Sequence, residues 1–277
     1  MKIKFLGTAA AEGVPAIGCR CEVCRRSRAL GGRNMRSRSQ ALINGELLIE
    51  FNPDTLWHMH TYGFDLSEID HCLITHSHPD HLYPDDIDNY RRDFCHGRER
   101  TMNFYAAEDG YNKIKEVSVR PWMGGAVTPH LVEAGKPFKV LDGKYTVTPY
   151  PASHTKETSP VFYSVSCGGK KLLYAHDTGY FSDAAWELLK GEGRFDLISL
   201  DCTGCLGLDG HKYIRHMTFS MCLDVIARME SMGLIDGKTV KVVNHFSHNG
   251  GQTYDEMVAA ASKHGVVVSY DGLEIEV

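Results

Sequence analysis

Seven consecutive residues, Thr75-His76-Ser77-His78-Pro79-Asp80-His81, put three imidazoles and a carboxylate directly behind the apolar run His71–Thr75. In an extended chain, residues two apart project to the same side, so His76 and His78 can address one cation together. Pro79 breaks the strand, and the turn it forces swings Asp80 and His81 towards a second position beside the first. Imidazole and carboxylate suit zinc, manganese or iron and do not choose among them. The bland reading is three surface histidines and a solvated aspartate. Four potential ligands within six residues argue against it.

The rest of the chain reads as one domain, residues 1–277, without a Pro/Ser-rich linker, a repeat or a low-complexity tract. Apolar runs bounded by Gly, Pro or Asp predict strands at Lys2–Leu6, Glu46–Glu50, His71–Thr75, Tyr145–Tyr150, Val161–Ser166, Lys171–Tyr174, Phe195–Leu200, Val240–Val243 and Val266–Ser269. Helical periodicity predicts Asp85–Asp93, Glu108–Val117, Ser182–Leu189, Thr218–Met232 and Thr253–His264. Thr253 with Glu256 forms a capping-box start, and Gly233 and Gly265 are natural stops. Many strands and few helices in each half suit two packed sheets flanked by helices. The formal net charge of -5 makes a tight, non-specific grip on long nucleic acid a poor expectation. No apolar stretch is long enough to span a bilayer, and the charged start lacks the long apolar run of a leader.

Three of the nine cysteines crowd into Cys19-Arg20-Cys21-Glu22-Val23-Cys24, which in a reducing cytoplasm points to metal. A tetrahedral Cys₃His zinc site needs a fourth ligand, for which His248 is the candidate. His245 and His248 are an odd three residues apart, so in extended chain they face opposite ways and could serve different sites.

The His-x-His-x-Asp-His segment after a strand resembles the signature of metallo-β-lactamase-fold hydrolases. That resemblance implies an α/β (α+β) fold, a four-layer αββα sandwich with two divalent cations at one edge of its sheets. It also implies further ligands at His154 in Pro151-Ala152-Ser153-His154, Asp177 in His176-Asp177-Thr178-Gly179 and His245 after Val240–Val243. On this reading His76, His78 and His154 hold one cation, Asp80, His81 and His245 the other, and Asp177 lies between them. The opening Gly7-Thr8-Ala9-Ala10-Ala11-Glu12-Gly13-Val14-Pro15 with its cysteine knuckle is similar to the phosphoribosyl cyclic phosphodiesterases of the PhnP type. So are Asn244-His245-Phe246-Ser247-His248 and Tyr270-Asp271-Gly272-Leu273. PqqB-type proteins share a similar knuckle. Departures from the pattern are Ala9 and Ala10 for glycines, Glu50 for an aspartate, Tyr83-Pro84 after the motif, and His176 for a small residue.

The resemblance implies hydrolysis of a small, phosphorylated, cyclic phosphodiester, with His216 and Asp80 as catalytic residues and His211 as the alternative to His216. Competing expectations are a tRNA 3′-end nuclease, a thioester or lactone hydrolase, and a metal-loaded protein without turnover. A cytoplasmic protein with one structural zinc, two catalytic zinc, manganese or iron ions and no membrane partner is expected; a homodimer stays open. Asp201 is a candidate to orient a ligand, and Cys202 and Cys205 read as buried reduced thiols. Two arginine groups, Arg20–Arg38 and Arg91–Arg100, read as solvated faces or as attraction for phosphate.

Overall fold

Strands in the computed structural model, which describes residues 1–207 and 215–277, form at β1 (Lys2–Gly7), β2 (Gln40–Ile43), β3 (Leu47–Ile49), β4 (His71–Ile74), β5 (Met102–Ala106), β6 (Val127–Leu131) and β7 (Phe138–Val140). They continue as β8 (Tyr145–Pro151), β9 (Val161–Cys167), β10 (Lys170–Ala175), β11 (Leu197–Asp201), β12 (Val240–Asn244), β13 (Val266–Val268) and β14 (Glu274–Glu276). Helices are α1 (Glu22–Leu30), α2 (Thr55–Tyr62), α3 (Pro84–Ile87), α4 (Glu108–Ser118), α5 (Asp183–Leu189), α6 (Phe219–Ser231) and α7 (Tyr254–Ala261).

Two sheets result, ordered β14-β1-β2-β3-β4-β5-β6 and β13-β12-β11-β10-β9-β8-β7. Each is antiparallel in one part and parallel in the other: β3 to β6 in the first sheet, β10 to β13 in the second. One apolar core lies between the sheets, with Phe5, Ile43, Leu73, Tyr163, Leu197 and Val242 buried. A second packs Trp186, Phe195, Val225 and Met257 from α5 to α7 against the second sheet, and a third packs Leu48, Phe104, Ile114 and Met123 on the outside of the first. These layers are the αββα sandwich of the metallo-β-lactamase fold. Parallel strands whose faces are both covered collect ligand-bearing loops at their carboxyl ends. The ends of β4, β10, β11 and β12 all meet at one edge.

Side-chain caps fix the helix starts. Ser182 accepts from the Ala185 N–H, Thr218 from the Met221 N–H, and the Thr253–Glu256 capping box is formed. The helix expected over Asp85–Asp93 is cut to the four residues of α3 and a 3₁₀ turn at Asp88–Tyr90. Pro84 starts it well, but Asp85, Asp86, Asp88 and Asn89 favour turns over a continued helix. The last helix also ends early, at Ala261, with a 3₁₀ turn to His264. Among the described residues no helix is long and apolar enough to cross a membrane.

Candidate metal centre

The loop after β4 folds back on itself, with the His81 and Leu82 N–H groups donating to the carbonyl of His78. This turn brings the motif's side chains together. His76 Nε2 lies 2.9 Å from His78 Nδ1, and His154 Nε2, from the loop after β8, lies 3.2 Å from the same nitrogen. His81 Nε2 is 3.2 Å from Asp80 Oδ2. Asp177, beyond the end of β10, reaches between the two groups: its Oδ2 is 3.2 Å from His76 Nε2 and 3.0 Å from His81 Nε2. His245, beyond β12, stacks on His81 with ring centroids 5.5 Å apart.

The donors fall into two sets, His76, His78, His154 and Asp177, and Asp80, His81, Asp177 and His245, each within 4.8 Å; Asp177 and His245 also group with Asp201 and His216. Several of these buried atoms make no well-directed hydrogen bond: His81 Nε2, Asp177 Oδ1 and His245 Nε2. Buried polar atoms without partners are costly, and a cation bound among them would remove that cost. Borderline N/O donors in two four-atom sets fit a pair of zinc, manganese or iron ions.

Surrounding groups aim the ligands. Glu50 Oε1 sits 3.1 Å from His81 Nδ1 and accepts the Thr75 hydroxyl at 2.6 Å. Thr75 Oγ1, its hydrogen thus committed, accepts from His76 Nδ1 at 3.0 Å. Both arrangements leave Nε2 of the ring for a cation. Thr203 donates to the carbonyl of His245 and lies 2.8 Å from His245 Nδ1, which again leaves Nε2 for a cation. Asp109 accepts the N–H of Ser77 and of Ser159, tying α4 to the motif and to the loop after His154.

The electrostatics differ from ligand to ligand. Burial and neighbouring His81 push His76 down to about 3. Burial also opposes charge on His81, but Asp80 and Glu50 carry it well above the usual imidazole range. Asp177 stays ionised: burial opposes this, and His245, His76 and His81 outweigh it. His216 Nδ1 stands 3.1 Å from Asp177 Oδ1 and 3.2 Å from Asp201 Oδ2. Burial works against its charge, yet Asp201 and Asp177 raise it to about 9. Asp201, fully buried, also lies 3.3 Å from His245 Nδ1.

Three site residues have left-handed backbones: Glu50 at φ 72°, Asp177 at φ 52° and His245 at φ 62°. Non-glycine residues rarely adopt this region, which costs about 1–3 kcal/mol at each position.

Cys19, Cys21, Cys24 and His248 form a separate set. His248 Nδ1 is 3.3 Å from Cys21 Sγ and 3.6 Å from Cys19 Sγ. The Cys21 thiol caps α1 and the Ala16 N–H donates to Cys24. Glu12 stands behind the ring, 3.6 Å from His248 Nε2, and accepts the Ser247 hydroxyl.

The sequence did not single out Thr75, Thr203, Asp109 or Glu12 for these roles; adjacency to the motif was the one available signal, for Thr75. His176 is buried with its nitrogens 3.1 Å from Ser39 Oγ and 2.7 Å from Ser199 Oγ, so both are used by the fold. Cys202 and Cys205 are buried, and burial pushes both thiols up. Much of the arginine charge is met internally: Arg25 by Glu22, Arg26 by Glu256, Arg38 by Asp54, Arg91 by Asp88, Arg98 by Asp70 and Arg100 by Glu68. His211 lies outside the described residues.

Among solved structures, zinc-bound PqqB from Methylobacterium extorquens superposes with a TM-score of 0.74 over 100% of both chains at 19% identity. A diphosphatase of the PhnP family gives 0.72 at 23% identity over 100% of this chain and 97% of its own, and the short form of human tRNase Z 0.65 at 17% over 100% and 99%. A curated relative named octanoyltransferase, from Porphyromonas gingivalis, is 26% identical over 99% of this chain and 51% of its own length. The chain thus spans about half the length of that relative. The family described as beta-lactamase superfamily domain matches residues 49–246. On that match, most of the sequence and the whole candidate centre after Glu50, the chain belongs to the beta-lactamase superfamily, as a metal-dependent hydrolase of the metallo-β-lactamase fold.

Proposed function

We propose that the chain is a metal-dependent phosphodiesterase that opens a small, cyclic phosphodiester such as a phosphoribosyl cyclic phosphate. The observation that carries this reading is the pair of four-donor sets sharing one carboxylate, Asp177. Two divalent ions held there would acidify water and offset charge on phosphoryl oxygens. The chain's own part is then to place and release protons. His216, held protonated by Asp201 and Asp177, supplies a proton to the leaving oxygen. Asp80 sits at the accessible side of the second set, its side chain 13% exposed, and orients what approaches. The Cys₃His set takes one zinc and steadies the loops around His245. Nine unpaired cysteines suit a cytoplasmic setting.

The curated relative's name favours a second reading, hydrolysis of a thioester or related acyl ester at the same centre. A panel of metal-replete assays separates the two: five-membered cyclic ribose phosphates, 2′,3′-cyclic nucleotides, linear diesters and thioesters. Turnover of a cyclic phosphodiester is expected. Turnover of thioesters with every phosphodiester inert overturns the first reading in favour of the second.

A further inference from the structure

A chain of side chains away from the metal centre, buried at Gln40, Thr55 and His58 and half-buried at Ser37 and Asp271, joins the C-terminal turn to α2. Gln40 Nε2 donates to Glu50 O at 2.9 Å and to Thr55 Oγ1 at 2.8 Å. Its Oε1 therefore faces His58 Nδ1, 2.6 Å away, and that nitrogen must carry a hydrogen. Ser37 Oγ lies 2.7 Å from His58 Nε2 and 2.6 Å from Asp271 Oδ2. Asp271 further accepts the Ser37 N–H and the Thr8 hydroxyl, each at 2.6 Å. A serine hydroxyl owns one hydrogen, so it cannot donate both to a neutral imidazole nitrogen and to a carboxylate. The arrangement requires one further proton, on Asp271 or on His58.

We propose that folding moves this proton from His58 to Asp271, so that a neutral acid–serine–imidazole chain, and not an ion pair, closes the joint. In the unfolded chain near pH 5 the carboxylate is ionised and the imidazole protonated. On folding, the imidazolium loses its N–H to solvent and the carboxylate gains an O–H. Net charge is unchanged and neither Asp271 nor His58 enters the joint charged.

The surroundings agree. Burial pushes the Asp271 carboxyl up to about 6, against Ser37, Thr8 and Arg36, which favour its ionised form. Burial pushes His58 down to about 4, with Asp54 opposing. The charged and titratable neighbours are Arg36, which reaches Asp271 through Thr8, Tyr62 on α2, and Asp54 with its partner Arg38. Gly272, at φ 92°, brings the turn onto the Tyr62 ring, where a Cβ would sit 2.8 Å from Cε1. Thr8 also accepts the N–H of Phe246, the residue after His245. When the carboxyl ionises above about pH 6, Ser37 can serve one acceptor only, and this joint loosens.

Each group alone makes stability depend on pH, with opposite sign. A raised carboxyl gives stability that is full below its unfolded value of 3.8 and lost as pH rises through about 6. A depressed imidazole gives stability that is full above 6.5 and lost as pH falls through about 4. Together they nearly cancel between pH 4 and 6.

The test is urea unfolding of the zinc-loaded full chain at several pH values between 4 and 6, each variant compared with wild type. Asp271→Asn should make the folding constant rise by up to about tenfold per pH unit relative to wild type, because the unfolded His58 alone now binds a proton. His58→Gln should make it fall by as much, and the double variant should return to the wild-type slope. Parallel profiles for both single variants overturn the proposal. Should either variant fail to fold, nitrogen-15 shifts of His58 in the wild type at pH 5 decide the matter. A neutral ring protonated at Nδ1 is expected, and an imidazolium overturns it.

Discussion

Glu50 and His81 are both fully buried, with a carboxylate oxygen 3.1 Å from the ring nitrogen that faces away from the second donor set. The same oxygen takes the hydroxyl of Thr75, which in turn takes His76 Nδ1. One carboxylate thus aims a histidine in each set. Glu50→Gln should weaken metal binding at both positions together, by about 10–100-fold. Metal content and competition with a chelator measure this. Wild-type affinity at either position would show that the two histidines are aimed independently.

Asp177 is the donor common to both sets. Asp177→Ala should lose hydrolysis and both catalytic ions while one zinc per chain stays on the cysteine set. Elemental analysis with an activity assay checks it, and a fully active variant would remove the shared-carboxylate reading.

Cys21 faces His248 and caps α1 as well. Cys21→Ser should release one zinc per chain and lower the melting temperature, because bound metal contributes directly to folding. Glu12→Gln should give a milder form of the same loss, about 10–100-fold in zinc affinity. In both variants the catalytic pair should still load; a simultaneous loss of all metal would mean the two centres are not separable.

His216→Ala should keep its metals and slow turnover by about 10²–10⁴-fold, the usual range for a positioned acid. Asp201→Asn should slow it too, since Asp201 lies against both His216 and His245. A wild-type rate in the alanine variant would move the proton-donating role elsewhere.

The local chemistry of the centre was legible because ligand type and spacing are written in the chain: His76 to His81 is one turn, and Cys19 to Cys24 another. The positions of His154, Asp177 and His245 came from resemblance, since nothing local marks an isolated histidine at a strand end. Five strands were harder to read: β6, β7 and β14 at sheet edges, and β2 and β5 inside the first sheet. All are short, and Pro129 in β6 and Lys139 in β7 interrupt the apolar pattern. α1 was hidden by its arginines, because Val23, Cys24 and Ser27 supply the buried face of a helix that is otherwise charged. The roles of Thr203 and Glu12 depend on contacts across 42 and 236 residues, and no window on the sequence could show them.

The left-handed backbones at Glu50, Asp177 and His245 carry a consequence for how such a chain ages under mutation. Glycine at any of the three would relieve the local conformation and remove the functional group in the same step. A lineage retained purely as a scaffold would gain by drifting to glycine there. Bearing a glutamate, an aspartate and a histidine at all three is the mark of a protein that gives up some stability of its fold to keep these groups in place.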